Sequence, residues 1–333
     1  MLSGHLIGVD VGGTKVAVAS LEDERLGPSV VQPTEAQNAE DLLAEIVRAI
    51  ESARDSSTAA VGVGVPSVIE FETGRVRSST NLHLADVDLR TVLEERLGLP
   101  VFVDNDATVA ALGEAFDEAG RPLVENLVMF TVGTGIGGGL VLGGRVYRGA
   151  TGAAAELGHT IVGADLEEAV PPGGAFPHPG SLEGLAAGRV LDRLAAEAAS
   201  RSPDSALGRL AASGRGIDGH DAVAAAQDGD AEAIGALRVL GERLGVGIAN
   251  AINTFDPDVV AIGGGVSTAG ELLLVPAREV ARRFVLPGVG ERTEIRLARH
   301  GPQAGVRGAA LLAGLELARA RAGSAGPREG RRE

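Results

Sequence analysis

The stretch Ile7–Val18, IGVDVGGTKVAV, decides the reading of the chain. One β-branched run enters the pair Gly12-Gly13 and another leaves it, the pattern of a hairpin with a tight tip. Glycines at a tip let main-chain N–H groups approach an anion closely, because no Cβ stands in the way. Asp10, just ahead of the tip, suits a metal-bound water better than a bare phosphate, which its carboxylate would repel. The pattern therefore suggests a cradle for magnesium and a polyphosphate. An ordinary tight turn would carry the same two glycines, so the rest of the chain has to decide.

The chain has 333 residues, 44% of them apolar but only 2% aromatic, so Val, Leu, Ile and Ala must build its cores. That length allows one large or two medium domains. The formal net charge of −15 disfavours nucleic acid and anionic membrane surfaces as partners. There is no cysteine, which removes disulfides, thiol nucleophiles and thiolate metal sites. Lys15 is the only lysine. The first residues show no basic stretch followed by an apolar run, so no secretory signal is expected. Asn126–Gly144 is uncharged over a membrane-like length, but its seven glycines read as a turn-rich sheet. A soluble, cytoplasmic protein is expected.

Two further glycine elements follow β runs. LVMFTVGTGIGGGLVL (127–142) repeats the opening design, with Gly133, Thr134 and Gly135 at its tip. The repetition suggests an internal duplication, with two tips facing one polyphosphate across a cleft. VVAIGGGV (259–266) is a strand opening into Gly263-Gly264-Gly265, with a helix expected over 268–284. Strand, glycines and helix in that order permit a nucleotide to approach and expose the positive end of a helix dipole.

Elsewhere, helical spacing marks 39–54, 88–97, 107–119, 185–200, 231–255 and 305–320, and strands are expected at 60–65, 101–103 and 294–298. Residues 321–333 read as a disordered polar tail. Asp104-Asn105-Asp106 stands where a buried strand ends, which is where α/β folds place ligands. Capping the next helix is the competing role for Asn105 and Asp106.

GVDVGGTK (8–15), DNDATVAALGEA (104–115), FTVGTGIGGG (130–139) and ELGH (156–159) together resemble the ROK family of sugar kinases and repressors, over about residues 6–314. The resemblance implies an actin-like, hexokinase-like ATPase fold: two α/β lobes of ribonuclease-H-like topology, 1–107 with about 302–320 forming the small lobe and 108–301 the large one. It implies transfer of the γ-phosphoryl of ATP to the 6-hydroxyl of a hexose, most simply glucose. Asp106 would be the base. Asn81, Asn105, Glu156, His159 and Glu183 would hold the sugar. Asp10, Gly12, Gly13, Thr14, Lys15, Gly133, Thr134, Gly135, Gly264 and Gly265 would hold ATP, with Mg2+ near Asp10, bound through water. Taken structurally, His159 would be a core histidine or helix-end cap and Glu183 a solvated helix start.

The family's zinc site, three cysteines with the histidine of E-x-G-H, has no counterpart, since Gly174, Phe176 and Ser181 stand at the cysteine positions. Ser67 and Thr80 also depart from the family pattern, which leaves the sugar open. An N-acyl amino sugar, mannose or fructose is the alternative acceptor, polyphosphate the alternative donor, and a catalytically silent sugar-binding regulator the rival from another class. The first phosphate loop starts at Gly8, so the winged helix of ROK repressors is not expected ahead of it. The family also suggests a homodimer or homotetramer.

Overall fold

The hairpin expected over 7–18 forms: β1 (His5–Val11) pairs antiparallel with β2 (Lys15–Glu22), Val11 opposite Val16. The structure is a computed structural model that describes residues 2, 4–79, 82–163 and 176–324. It divides into two units, Met1–Leu123 with Arg148–Ala154 and Gln303–Glu333, and Val124–Tyr147 with Ala155–Pro302. The first unit thus runs on to Leu123 instead of ending at 107, and it takes back a short segment, Arg148–Ala154, that the sequence reading gave to the large lobe.

In the first unit the chain continues through β3 (Arg25–Leu26), β4 (Val30–Pro33), α1 (Ala39–Ala53), β5 (Thr58–Val65), β6 (Ser67–Glu70), β7 (Arg75–Ser79), α2 (Leu89–Leu97), β8 (Val101–Asn105) and α3 (Asp106–Ala115). The sheet order is β3-β2-β1-β5-β8, with β4 also on β2. β1, β5 and β8 run parallel. Asn38 caps α1, its side chain accepting the Asp41 N–H, and the apolar stripe Leu42, Ile46 and Ile50 is buried against Ile7, Val9, Val61 and Val63. The opposite sheet face carries the last helix, Ala304–Ser324.

That last helix sits in a notch made by sequence. Gly8 and Gly62 are in register on β1 and β5. A Cβ on Gly8 would come within 2.0 Å of the Val306 carbonyl oxygen, and one on Gly62 within 1.8 Å of that of Ala309. Only glycine at both positions lets helix backbone rest directly on sheet backbone. Arg307, on the same helix, is buried and donates to the carbonyls of Gly113 and Phe116 and to Glu118 Oε1. It thereby supplies partners for carbonyls at the end of α3 that the helix leaves unpaired.

The second unit holds β9 (Leu127–Val132), β10 (Ile136–Leu142), β11 (Arg145–Val146), α4 (Leu182–Ala186), α5 (Gly188–Arg201), α6 (Ala206–Ala212), α7 (Gly219–Gln227), α8 (Ala231–Phe255), β12 (Val259–Gly263), α9 (Glu271–Phe284) and β13 (Glu294–Leu297). Its sheet order is β11-β10-β9-β12-β13, with β9 and β10 antiparallel and β9, β12 and β13 parallel. Apart from the extra strand β4, this is the wiring of the first unit. Two sheets of one design in one chain are what the paired glycine hairpins predict.

Several expectations need correction. The helix expected over 185–200 is two, α4 and α5, parted at Ala187, whose ψ of 167° is extended. The helix after the third glycine element starts at Glu271, behind a 3-10 turn at Gly265–Ala269. The last helix continues to Ser324, so the tail expected to be disordered from 321 is helical for four more residues, and 325–333 lie outside the described residues. Among the described residues no helix is long and apolar enough to cross a membrane.

Candidate functional site

In the first unit, three strand ends carry the candidate chemistry. Asp10 on β1 is in register with Gly64 on β5, and Gly64 with Asp104 on β8. The middle strand contributes no side chain at this level, which lets the first turn of α3 close onto it: a Cβ on Gly64 would meet Val109 Cγ2 at 2.6 Å and the Asp106 Cα at 3.5 Å. Beyond Asp10, the tip is closed by the Gly12 N–H donating to the Lys15 carbonyl (2.8 Å). It is braced by Thr34, which donates its N–H to the Thr14 carbonyl (2.9 Å) and its hydroxyl to that of Gly12 (3.3 Å). Gly13, Thr14 and Lys15 are exposed. A pinned turn with exposed amides and one ammonium is suited to a phosphate chain.

The Asp10 carboxyl is pushed up to about 7, first by desolvation, then by the charge of Asp106, with Lys15 opposing. Gly305, at the start of the last helix, lies so close that a Cβ there would meet Asp10 Oδ2 at 2.4 Å. Two neighbouring carboxylates that repel each other are a donor set that a cation would relieve, and oxygen ligands suit magnesium. Asp106 opens α3, where a carboxylate is favoured by the helix dipole, and its Oδ1 accepts the Ala107 N–H (2.8 Å). Asn105 does cap α3: its Oδ1 accepts the Thr108 N–H (3.1 Å), while Nδ2 donates to the Ser67 carbonyl (3.4 Å). Asn81 lies outside the described residues.

In the second unit the two remaining glycine elements are neighbours. Gly263 pairs with Thr131, and a Cβ on Gly264 would meet the Val132 carbonyl oxygen at 2.4 Å. The Gly133-Thr134-Gly135 turn is closed by the Gly133 N–H donating to the Gly135 carbonyl (2.9 Å). It is tied from outside by the Gly188 N–H, which donates to the Gly133 carbonyl (2.7 Å), and by Glu183, whose Oε2 accepts the Ile136 N–H (2.8 Å). Glu183 is therefore not a solvated helix start. Its other oxygen accepts Arg189 Nη2 at 2.5 Å.

Glu156 precedes and His159 ends the 3-10 turn Leu157–His159, His159 Nε2 standing 3.8 Å from Glu156 Oε2. Burial pushes the Glu156 carboxyl up, His159 opposes this, and the Glu183 charge adds to it. Those three residues thus share one field. Ala155, just before them, has φ +68°, a left-handed conformation uncommon for a residue with a Cβ. His159 is partly exposed and meets the Phe176 ring edge-on at 5.6 Å, so it is not a core histidine.

Zinc does not fit. Where thiolates would stand, Phe176 meets His159 edge-on, and Ser181 caps α4, accepting the Gly184 N–H (3.1 Å) and donating to the His178 carbonyl (2.7 Å). Among the described residues no cluster of His, Asp or Glu takes its place. Gly174 lies outside the described residues.

Sequence reading missed Thr34, Gly188, Arg189, Asp104 and Arg148. The Asp104 carboxylate is buried and accepts Arg148 Nε at 2.8 Å. Its place at the end of an apolar strand was a visible signal; its partner, 44 residues away, was not.

A sequence profile of the ROK family matches residues 6–315. The glucokinase of Halalkalibacterium halodurans is 35% identical over 319 residues, covering 92% of this chain and 94% of that protein. The glucokinase of Thermotoga maritima is 35% identical over 314 residues, with 92% and 96% covered. Among solved structures, a ROK family glucokinase from Streptomyces griseus in complex with glucose and AMPPNP superposes with a TM-score of 0.80 at 35% identity, covering 93% of this chain and 99% of that one. A match over nearly the whole length establishes that this chain belongs to the ROK family.

Proposed function

We propose that the chain is an ATP-dependent hexose kinase that phosphorylates the 6-hydroxyl of glucose. The observation that carries this reading is the pairing of Asp10 and Asp106, two carboxylates in one electrostatic field beside a pinned glycine tip. A binding protein has no use for that costly pair; phosphoryl transfer needs one carboxylate for the metal and one for the proton. The glucokinase names of two relatives and the glucose and AMPPNP bound in the Streptomyces griseus structure support it.

In this mechanism the 6-hydroxyl oxygen attacks the γ-phosphorus, its proton passes to the Asp106 carboxylate, and the bond from phosphorus to the β–γ bridging oxygen breaks to leave ADP. A base placed at the attacking oxygen typically contributes about 10²–10⁴-fold. Asn105, Asn81, Glu156, His159 and Glu183 hold the sugar hydroxyls. Lys15 and the amides of Gly12, Gly13, Thr14, Gly133, Thr134, Gly135, Gly264 and Gly265 orient the phosphates. Magnesium at Asp10 supplies charge neutralisation on the phosphate oxygens. The protein works in the cytoplasm as a homodimer or homotetramer and without nucleic acid; gel filtration with light scattering tests the oligomer.

The test is product analysis. Wild-type protein incubated with Mg-ATP and glucose is expected to yield ADP and glucose 6-phosphate in equal amounts by 31P NMR. Phosphorylation of N-acetylglucosamine, mannose or fructose alone would move the substrate and keep the mechanism. Sugar binding without any product would make the chain a regulator.

A further inference from the structure

We propose that Arg148 and Asp104 are positioning residues that hold Asn105 and Asp106 in place for the hexose; this rests on the hexose-kinase reading above. The Asp104 carboxylate is fixed from two sides. Oδ1 accepts the Asn105 N–H at 2.9 Å, and Oδ2 accepts Arg148 Nε at 2.8 Å. Both side chains are withdrawn from water, Asp104 at 3% and Arg148 at 16% exposure.

Arg148 is itself held. Its guanidinium carbon lies 3.5 Å from the centroid of the Phe71 ring, a cation–π stack that fixes the plane of the fork. Phe71 stands at the tip between β6 and β7, and Arg90 of α2 grips that tip through the carbonyls of Phe71 (3.1 Å) and Glu72 (2.8 Å). The short segment Arg148–Ala154 closes on itself, the Ala154 N–H donating to the Arg148 carbonyl (3.1 Å). β6 returns to the junction at its other end, where the Ser67 carbonyl accepts Asn105 Nδ2. Asn105 is therefore set by three contacts on three of its atoms: its N–H on Asp104, Oδ1 on Thr108 and Nδ2 on Ser67. The first of these depends on the rotamer that Arg148 imposes on Asp104.

A buried ion pair is poor evidence of stability, because desolvation offsets most of the attraction. What it provides here is orientation. Lysine would keep the charge but neither stack flat on Phe71 nor donate through a nitrogen of fixed direction, so Arg148→Lys tests geometry with the charge held constant.

The experiment measures steady-state kinetics of ADP release with glucose and Mg-ATP varied separately, on wild type, Arg148→Lys, Phe71→Leu and the double variant Asp104→Asn/Arg148→Gln, which leaves no unpaired charge. Rates are expressed per folded enzyme from thermal melts. Arg148→Lys is expected to lower kcat/KM for glucose by roughly 10–100-fold, as small misplacements near reacting groups do, with KM for ATP within about twofold of wild type. Phe71→Leu is expected to move the same parameter in the same direction by a smaller factor. The double variant covers the case in which a single variant fails to fold: positioning predicts a fold close to wild type by melting and a glucose kcat/KM that stays low. A merely structural role would lower the folded fraction and leave kcat and both KM values per folded enzyme intact, which would overturn the proposal. Equal rises in both KM values would overturn it as well. Absence of turnover in the wild type with any hexose would remove the kinase reading and this inference with it.

Discussion

The Glu183 carboxylate accepts the Ile136 N–H at 2.8 Å and so ties helix α4 to the second glycine turn. Gly135 stands so close that a Cβ there would meet Glu183 Oε2 at 2.4 Å. One side chain assigned to the sugar thus also holds a turn assigned to phosphate.

Two substitutions separate those duties. Glu183→Gln keeps an oxygen for the Ile136 N–H and loses the pair with Arg189, so it should raise KM for glucose while KM for ATP moves little. Glu183→Ala removes the acceptor and should raise both. A hydrogen bond to a charged group is worth about 1.5–3 kcal/mol, so the expected changes are roughly 10–100-fold. Separate titrations of the two substrates check this. An alanine variant with unchanged KM for ATP would mean that the turn does not need Glu183.

Asp10 makes the metal-free protein sensitive to pH. Its folded pKa of about 7 lies above the 3.8 of an ordinary aspartate, so between those values the folded protein holds a proton that the unfolded chain has released. Stability from this group therefore falls as pH rises from about 4 to 7 and stays low above. Asp10→Asn removes the cost. At pH 8 without metal it should melt higher than wild type by several degrees, on the order of 1–3 kcal/mol, and the gap should close near pH 4. Magnesium should raise the wild-type melting temperature at pH 8 and leave the variant's unchanged. Activity should be lost. A variant that melts lower at pH 8 would mean that Asp10 is stabilised where it stands.

Arg307 is a stability residue. Arg307→Met leaves the carbonyls of Gly113 and Phe116 and the Glu118 carboxylate without their buried donor. A loss of about 2–4 kcal/mol is expected in urea unfolding. A change under about 0.5 kcal/mol would show that water reaches the end of α3.

Because Phe176 and Ser181 occupy thiolate positions, activity should survive exhaustive treatment with a zinc-selective chelator once magnesium is restored, and metal analysis of the pure protein should find no stoichiometric zinc. The edge-on contact of Phe176 with His159 is worth about 0.5–1.5 kcal/mol, so Phe176→Ala should raise KM for glucose by roughly 2–10-fold. Stoichiometric zinc would contradict the assignment.

What could be read from sequence was local chemistry. The Gly12-Gly13 and Gly133–Gly135 turns, the strand into Gly263 and the start of α3 are each written in a few adjacent residues, and each is found in the structure. The β6–β7 hairpin carries no local signature, because its partner contacts come from Arg90 and Arg148, distant in sequence. The break at Ala187 was invisible for the same reason: the Gly188 N–H is spent on Gly133, a turn 55 residues back, instead of on a helix continuing from α4. α7 was missed despite a local signal, the capping box between Asp218 and Asp221. The grip of Glu183 on Ile136 depends on a tertiary contact that no spacing announces.

The most direct test of the central claim compares wild type and Asp106→Asn in one assay of ADP release from Mg-ATP over a panel of hexoses, with glucose binding measured alongside by calorimetry. The account predicts glucose-dependent turnover that falls by at least about 10²-fold in the variant while glucose affinity stays within about tenfold. A variant that keeps its turnover, or that loses glucose binding together with it, would contradict the role of Asp106 as the base.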